Sequence, residues 1–101
     1  MTREDVLQVL RDHEAELREQ GVIHAALFGS LARGEAGPKS DIDVAIRFAP
    51  DAPITLWGYA GLKRRVSGML KAFSRKVDVI DLDGMSPYVR PSVERDAIYA
   101  F

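Results

Sequence analysis

The stretch from Asp41 to Phe48 constrains this chain more than any other. Apolar Ile42, Val44, Ile46 and Phe48 alternate with Asp41, Asp43, Ala45 and Arg47. A period of two belongs to a β-strand with one core face and one polar face. Such a strand needs neighbours to pair with and an apolar layer to cover its core face, and the chain supplies both. Residues 22–28, VIHAALF, and 76–82, KVDVIDL, are short apolar runs ended by Gly29 and by the turn dipeptide Asp83-Gly84. Val6, Leu7, Leu10 and Leu17 fall at helical spacing, which predicts one amphipathic helix over the first twenty residues. Thr2 with Asp5 resembles a capping box at its start, and Gly21 is its stop. After a Pro-bounded loop at 49–53, a long helix is expected over 55–73, burying Leu56, Leu62, Val66, Met69, Leu70 and Phe73. A short helix at 88–96 and the tail AIYAF, read as a small edge strand, complete the order. The expected architecture is α/β, a mixed sheet of three to four strands packed with helices, in a single domain over 1–101. Connection lengths leave the strand order open.

Composition narrows what such a domain does. With 14 Lys+Arg against 15 Asp+Glu in 101 residues, the net charge is −1. Direct nucleic-acid binding, which needs a basic surplus, is not expected. The absence of cysteine removes disulfide scaffolds, thiol catalysis and thiolate zinc sites together. His13 reads as a helix-surface or packing residue and His24 as a satisfied core or edge histidine. No run approaches the ~18 apolar residues of a membrane span, and the charged N-terminus is no secretory signal. A soluble cytoplasmic protein without membrane partners is expected.

The chemistry concentrates in residues 27–44, LFGSLARGEAGPKSDIDV. Asp41 and Asp43, two apart on a strand, point to one face with Cα atoms about 7 Å apart. Two adjacent carboxylates repel unless a cation lies between them, and an all-oxygen pair suits Mg²⁺. Alone, a D-x-D is as well explained by two solvated carboxylates. Gly29-Ser30, however, follows an apolar strand and opens a short helical LARGE segment, exposing backbone N–H groups to phosphate oxygens. In KVDVIDL, Asp78 takes the parity opposite to Val77 and Val79. If those valines face the core, Asp78 joins Asp41 and Asp43, whereas Asp81 does not. Arg33, beside the Gly-Ser turn, is placed on phosphate or acceptor, against the plainer alternative of a salt bridge to Glu35 or a neighbouring helix. A P-loop ending at Ser40 fails, because Arg33 and Pro38 stand where glycines are required.

Gly-Ser, ten residues, then Asp-Ile-Asp, with LARGE after the serine and Asp78 on a later strand, resembles the minimal nucleotidyltransferases. These belong to the DNA polymerase β-like nucleotidyltransferase superfamily. The resemblance runs over nearly the whole chain and implies the small nucleotidyltransferase fold. It also implies that Gly29 and Ser30 hold a triphosphate, that Asp41, Asp43 and Asp78 bind two Mg²⁺, and that ATP is the nucleotide. In this family the acceptor is typically a tyrosine of a HEPN-domain ribonuclease toxin, silenced by transfer of AMP. The alternatives are an antitoxin that neutralises by binding alone and a small-molecule nucleotidyltransferase of the aminoglycoside-modifying kind.

Two further features bear on a partner. Residues 63–76 carry Lys63, Arg64, Arg65, Lys71, Arg75 and Lys76 with no acidic residue, while residues 1–20 are acidic by six to three. Such a basic run reads first as a solvated helix face and second as a docking patch. Trp57 and Tyr59 are read as core or interface packing. The length leaves room for a nucleotide site and little for an acceptor site, so a second protein is expected.

Overall fold

The computed structural model describes residues 2–101. Helix α1 (Arg3–Asp12) starts at a true capping box: the Thr2 hydroxyl accepts from Asp5 N–H at 3.2 Å, and the Asp5 carboxylate accepts from Thr2 N–H at 2.8 Å. The expected single helix over the first twenty residues is broken at His13, and α2 (Glu14–Glu19) continues on a new axis. The His13 N–H is shared between the Val9 and Leu10 carbonyls, each at 3.2 Å, and its ring nitrogen lies 2.8 Å from the same Val9 oxygen. That tightening ends α1. Gly21, at φ +92°, turns the chain into the sheet.

Strand β1 (Val22–Phe28) runs into α3 (Gly29–Arg33), and β2 (Ile42–Phe48) follows a loop. Helix α4 (Leu56–Met69) begins at Thr55, whose hydroxyl accepts from Gly58 N–H at 3.0 Å. A 3₁₀ turn (Lys71–Phe73) finishes the segment expected to be helical to 73. Strand β3 (Val77–Asp81) gives way to a second 3₁₀ turn (Leu82–Gly84), then α5 (Arg90–Asp96) and β4 (Ile98–Tyr99). The sheet is mixed, with order β3-β2-β1-β4: β1 is antiparallel to β2 and β4, and β2 is parallel to β3. Helix α4 supplies the crossover that a parallel pair requires.

The two faces of the sheet differ. Ile42, Val44, Ile46, Val79, Ala25 and Leu27 pack on one side against Val6, Leu7, Leu10 and Leu17 and against Leu62, Val66 and Leu70 of α4. The other face carries Asp43 near one end of β2 and Arg47 near the other, with an apolar patch between them. Ala45, expected on a polar face, is buried there with Leu82 and with Val93 of α5. Arg47 fastens this layer, pairing with Asp83 at 3.4 Å and Glu94 at 3.5 Å, and Arg90 grips the same two carboxylates at 3.1 and 3.0 Å. One expected core residue is corrected, for Leu56 in the first turn of α4 is 79% exposed; Trp57 beside it is 83% exposed, which leaves interface packing of its two readings. Tyr59 packs edge-on against Phe48 at the margin of the core. His24, on the inner strand β1, is exposed rather than in the core, with its ring nitrogen 3.3 Å from the Phe101 carbonyl oxygen. No helix is long and apolar enough to cross a membrane among the described residues.

Candidate active site

Because β2 and β3 run parallel in register, Asp43 stands directly beside Asp78, as Ile42 does beside Val77 and Val44 beside Val79. Val79 lies in the main core, so parity sends Asp43 and Asp78 to the opposite face. Asp41 sits one residue ahead of β2, just outside the strand. The third element at this end is the start of α3. Gly29 takes φ +73°, and a Cβ placed on it would collide with the Asp43 carboxylate oxygen Oδ2. Glycine is therefore required twice over, by the backbone and by the carboxylate lying on it. The N-cap residue of α3, Phe28, has no side-chain acceptor, so the N–H groups of its first turn have no side-chain cap among the described residues.

Burial pushes the Asp43 carboxyl above its ordinary value, and the charges of Asp78 and Asp41 push it further; Arg33 and Lys76 offset part of this. Lys76 Nζ lies 3.7 Å from Asp78 Oδ1. The Arg33 guanidinium is held by Glu35 at 3.0 Å and by Asp96 of α5 at 3.3 Å. The salt bridges weighed as the plainer alternative for Arg33 are thus present, and its charge still reaches Asp43. Asp96, which anchors it, gave no signal in the sequence, for the two are 63 residues apart. Asp81 is turned into its own loop, where Oδ1 accepts from Asp83 N–H at 3.0 Å.

The three aspartates share a face but are not drawn to a common point: no three His, Asp or Glu side chains converge at metal-binding distance among the described residues. Their chemistry nevertheless fits a hard divalent cation. All donors are oxygen, and the mutual repulsion that raises Asp43 is what a cation would relieve. The site is open, with the side chains of Asp78 and Arg33 each 43% exposed. A cavity of about 400 Å³ lined by Phe48, Ile54, Leu56, Tyr59 and Asp81 lies at the other end of β2. That is roughly 17 Å along the strand from Asp43.

A glycine that admits a carboxylate, with two aspartates in register on parallel strands, gathers negative charge at one end of the sheet. Residues 10–100 match the nucleotidyltransferase domain family. The chain belongs to that family. This nucleotidyltransferase is 37% identical over 100 residues to a Methanocaldococcus jannaschii protein provisionally named a protein adenylyltransferase, covering 97% of each chain. It is 30% identical to the protein adenylyltransferase MntA of Thermococcus cleftensis, over 98% of this chain and 96% of the relative. Among solved structures, one provisionally described as a minimal nucleotidyltransferase superposes with a TM-score of 0.73 at 33% identity, covering 97% of this chain and 95% of that one. The nucleotidyltransferase also shares its fold with a complex of a tri-AMPylated Shewanella oneidensis HEPN toxin and its MNT antitoxin. There the TM-score is 0.62 at 20% identity, over 94% of this chain and 71% of that one.

Proposed function

We propose that this nucleotidyltransferase, with residues 1–101 as one catalytic domain, transfers AMP from ATP to a hydroxyl of a partner protein in the cytoplasm. The partner we infer is a HEPN ribonuclease toxin, the acceptor one of its tyrosines, and the role that of an antitoxin. The observation that carries the reading is the pairing of Asp43 with Asp78 beside Gly29, where any Cβ would meet the Asp43 carboxylate. The names of the full-length relatives support adenylyl transfer to protein. The sequence resemblance supports the toxin partner, and the Shewanella antitoxin, of the same fold, stands beside such a toxin.

In this reading the N–H groups at the start of α3 and the Ser30 hydroxyl bind the triphosphate oxygens. Arg33, already paired to Glu35 and Asp96, presents its remaining charge to the same phosphates. Asp41, Asp43 and Asp78 would hold two Mg²⁺, whose charge would offset that of the phosphate oxygens. Asp78, on the edge strand, meets the incoming acceptor and takes its proton. The acceptor oxygen bonds to the α-phosphorus as the bond to the pyrophosphate oxygen breaks, and pyrophosphate leaves. Nucleic acid and membrane take no part.

The test is to incubate the chain with its co-encoded toxin, ATP and Mg²⁺ and to measure intact masses and ribonuclease activity. Addition of AMP units to the toxin tyrosine, with loss of its activity and no addition by Asp43→Asn, is the expected result. Silencing of the toxin by Asp43→Asn without any mass change would instead make the protein a binding antitoxin, and transfer to a small molecule alone would exclude the protein acceptor.

A further inference from the structure

Asp41 differs from the other two aspartates in how it is held. It precedes β2, so the pleat that aligns Asp43 does not by itself place it. The segment before it has no apolar anchor, since none of residues 34–40 is buried. It closes on itself in a small turn: Ser40 N–H donates to the Gly37 carbonyl at 3.2 Å, and Gly37 N–H donates to Ser40 Oγ at 2.8 Å. The attachment of that turn to the rest of the molecule comes from far along the chain. Ser74, at φ +54°, turns the backbone between the 3₁₀ turn and β3, and the next residue is Arg75. One guanidinium nitrogen of Arg75, Nη1, donates to the Gly37 carbonyl at 2.9 Å and to the Ser40 carbonyl at 3.1 Å. The following residue completes the grip, for the Lys76 carbonyl accepts from Ile42 N–H at 2.8 Å. Consecutive residues 75 and 76 therefore hold the residues on either side of Asp41.

We propose that Arg75 is a positioning residue for catalysis: its guanidinium pins the Gly37–Ser40 turn so that the Asp41 carboxylate is presented beside Asp43. The proposal rests on the reading of Asp41 as a cation ligand. It removes Arg75 from the basic docking patch suggested by residues 63–76 and gives its charge to two backbone carbonyls. A guanidinium suits this task because it stays ionised and donates in fixed directions. Groups that orient a ligand residue without touching the metal commonly change metal affinity by 10–100-fold.

The experiment compares Arg75→Ala, Arg75→Lys and Asp41→Asn with the unmodified chain. Mn²⁺ binding is measured by electron paramagnetic resonance in the presence of a non-hydrolysable ATP analogue, with amide exchange at residues 40–42 and the thermal midpoint followed in parallel. Arg75→Ala is expected to bind Mn²⁺ at least about tenfold more weakly, with faster exchange at Asp41 and Ile42 in a chain that still folds. Arg75→Lys is expected to recover most of the affinity, because both bonds come from a single nitrogen that an ammonium can replace. Unchanged Mn²⁺ affinity in Arg75→Ala, or a folded Arg75→Lys as impaired as the alanine variant, overturns the proposal. If Arg75→Ala does not fold, Arg75→Met, which keeps the apolar stem but no donor, takes its place with the same expectations. Unimpaired Mn²⁺ binding by Asp41→Asn would remove Asp41 from the ligand set and so overturn the functional reading. Faster exchange at Asp41 in Arg75→Ala would then still show the arginine anchoring the turn, so the two failures are distinguishable.

Discussion

The carboxylate of Asp43 occupies the space where a Cβ of Gly29 would project. A strand residue and a turn residue thus specify one another across the β1–β2 pair. Gly34 offers the comparison: it too has a positive φ, +76°, but nothing lies within 4 Å of its missing Cβ. Gly34→Ala therefore pays backbone strain alone, on the order of 1 kcal/mol. Gly29→Ala adds displacement of Asp43, so it should lower the thermal midpoint further and abolish transfer at temperatures where it remains folded. The excess cost should disappear in an Asp43→Ala background, and a double-mutant cycle measures it. Equal costs for the two glycines would refute the contact.

Asp43 also makes stability depend on pH in an unusual direction for a carboxylate. Its raised pKa means that the folded state binds this proton more tightly than the unfolded chain. The contribution is fully present below the unfolded value and is lost as pH rises through that value to the folded one. Asp43→Asn escapes the loss. It should gain on the unmodified chain as pH climbs through the carboxylate range and keep the gain at neutral pH, read from thermal midpoints over about pH 3–7. Added Mg²⁺ should raise the midpoint of the unmodified chain more than that of the variant.

Asp78 and Asp81, three residues apart on one strand, should behave oppositely. Asp78→Asn should lower transfer by at least about 100-fold with little change in stability, as expected of a group taking part in the proton and charge chemistry. Asp81→Asn should leave transfer near the original rate. It should cost about 0.5–1.5 kcal/mol in chemical denaturation, by weakening its hydrogen bond to Asp83 N–H. Reversal of the two phenotypes would move the third carboxylate to Asp81.

Trp57 is the only tryptophan and is 83% exposed. Trp57→Ala should change stability by no more than about 0.5 kcal/mol. The fluorescence of the isolated chain should be quenched freely by acrylamide and shift little on unfolding. A shielded, strongly shifting emission would place Trp57 in a core.

Sequence periodicity carried much of this protein because strand parity is a local property. The alternation around Asp43 and the valines of 77–79 was enough to select Asp78 over Asp81, and Thr2 and Gly21 marked real boundaries. Helical spacing was less informative at the ends of α4. A periodic pattern shows which side of a helix is apolar but not how far along the helix the core reaches, so Leu56 was assigned to a core it does not join. The break at His13 escaped notice for a similar reason, since Leu10 and Leu17 remain at helical spacing across it.

What the sequence by itself determined was most of the elements, the main core face of its strands, and the residue types of the candidate site. Tertiary structure decided everything that depends on two distant segments meeting. The order β3-β2-β1-β4 and the parallel register place Asp43 beside Asp78. Packing lays Asp43 over Gly29, brings α5 across Ala45, ties Arg33 to Asp96 and carries Arg75 to the turn before Asp41. The physical reason is the same in each case: these contacts join residues 14 to 63 positions apart in the chain, and no local spacing rule records which partner the packed chain will supply.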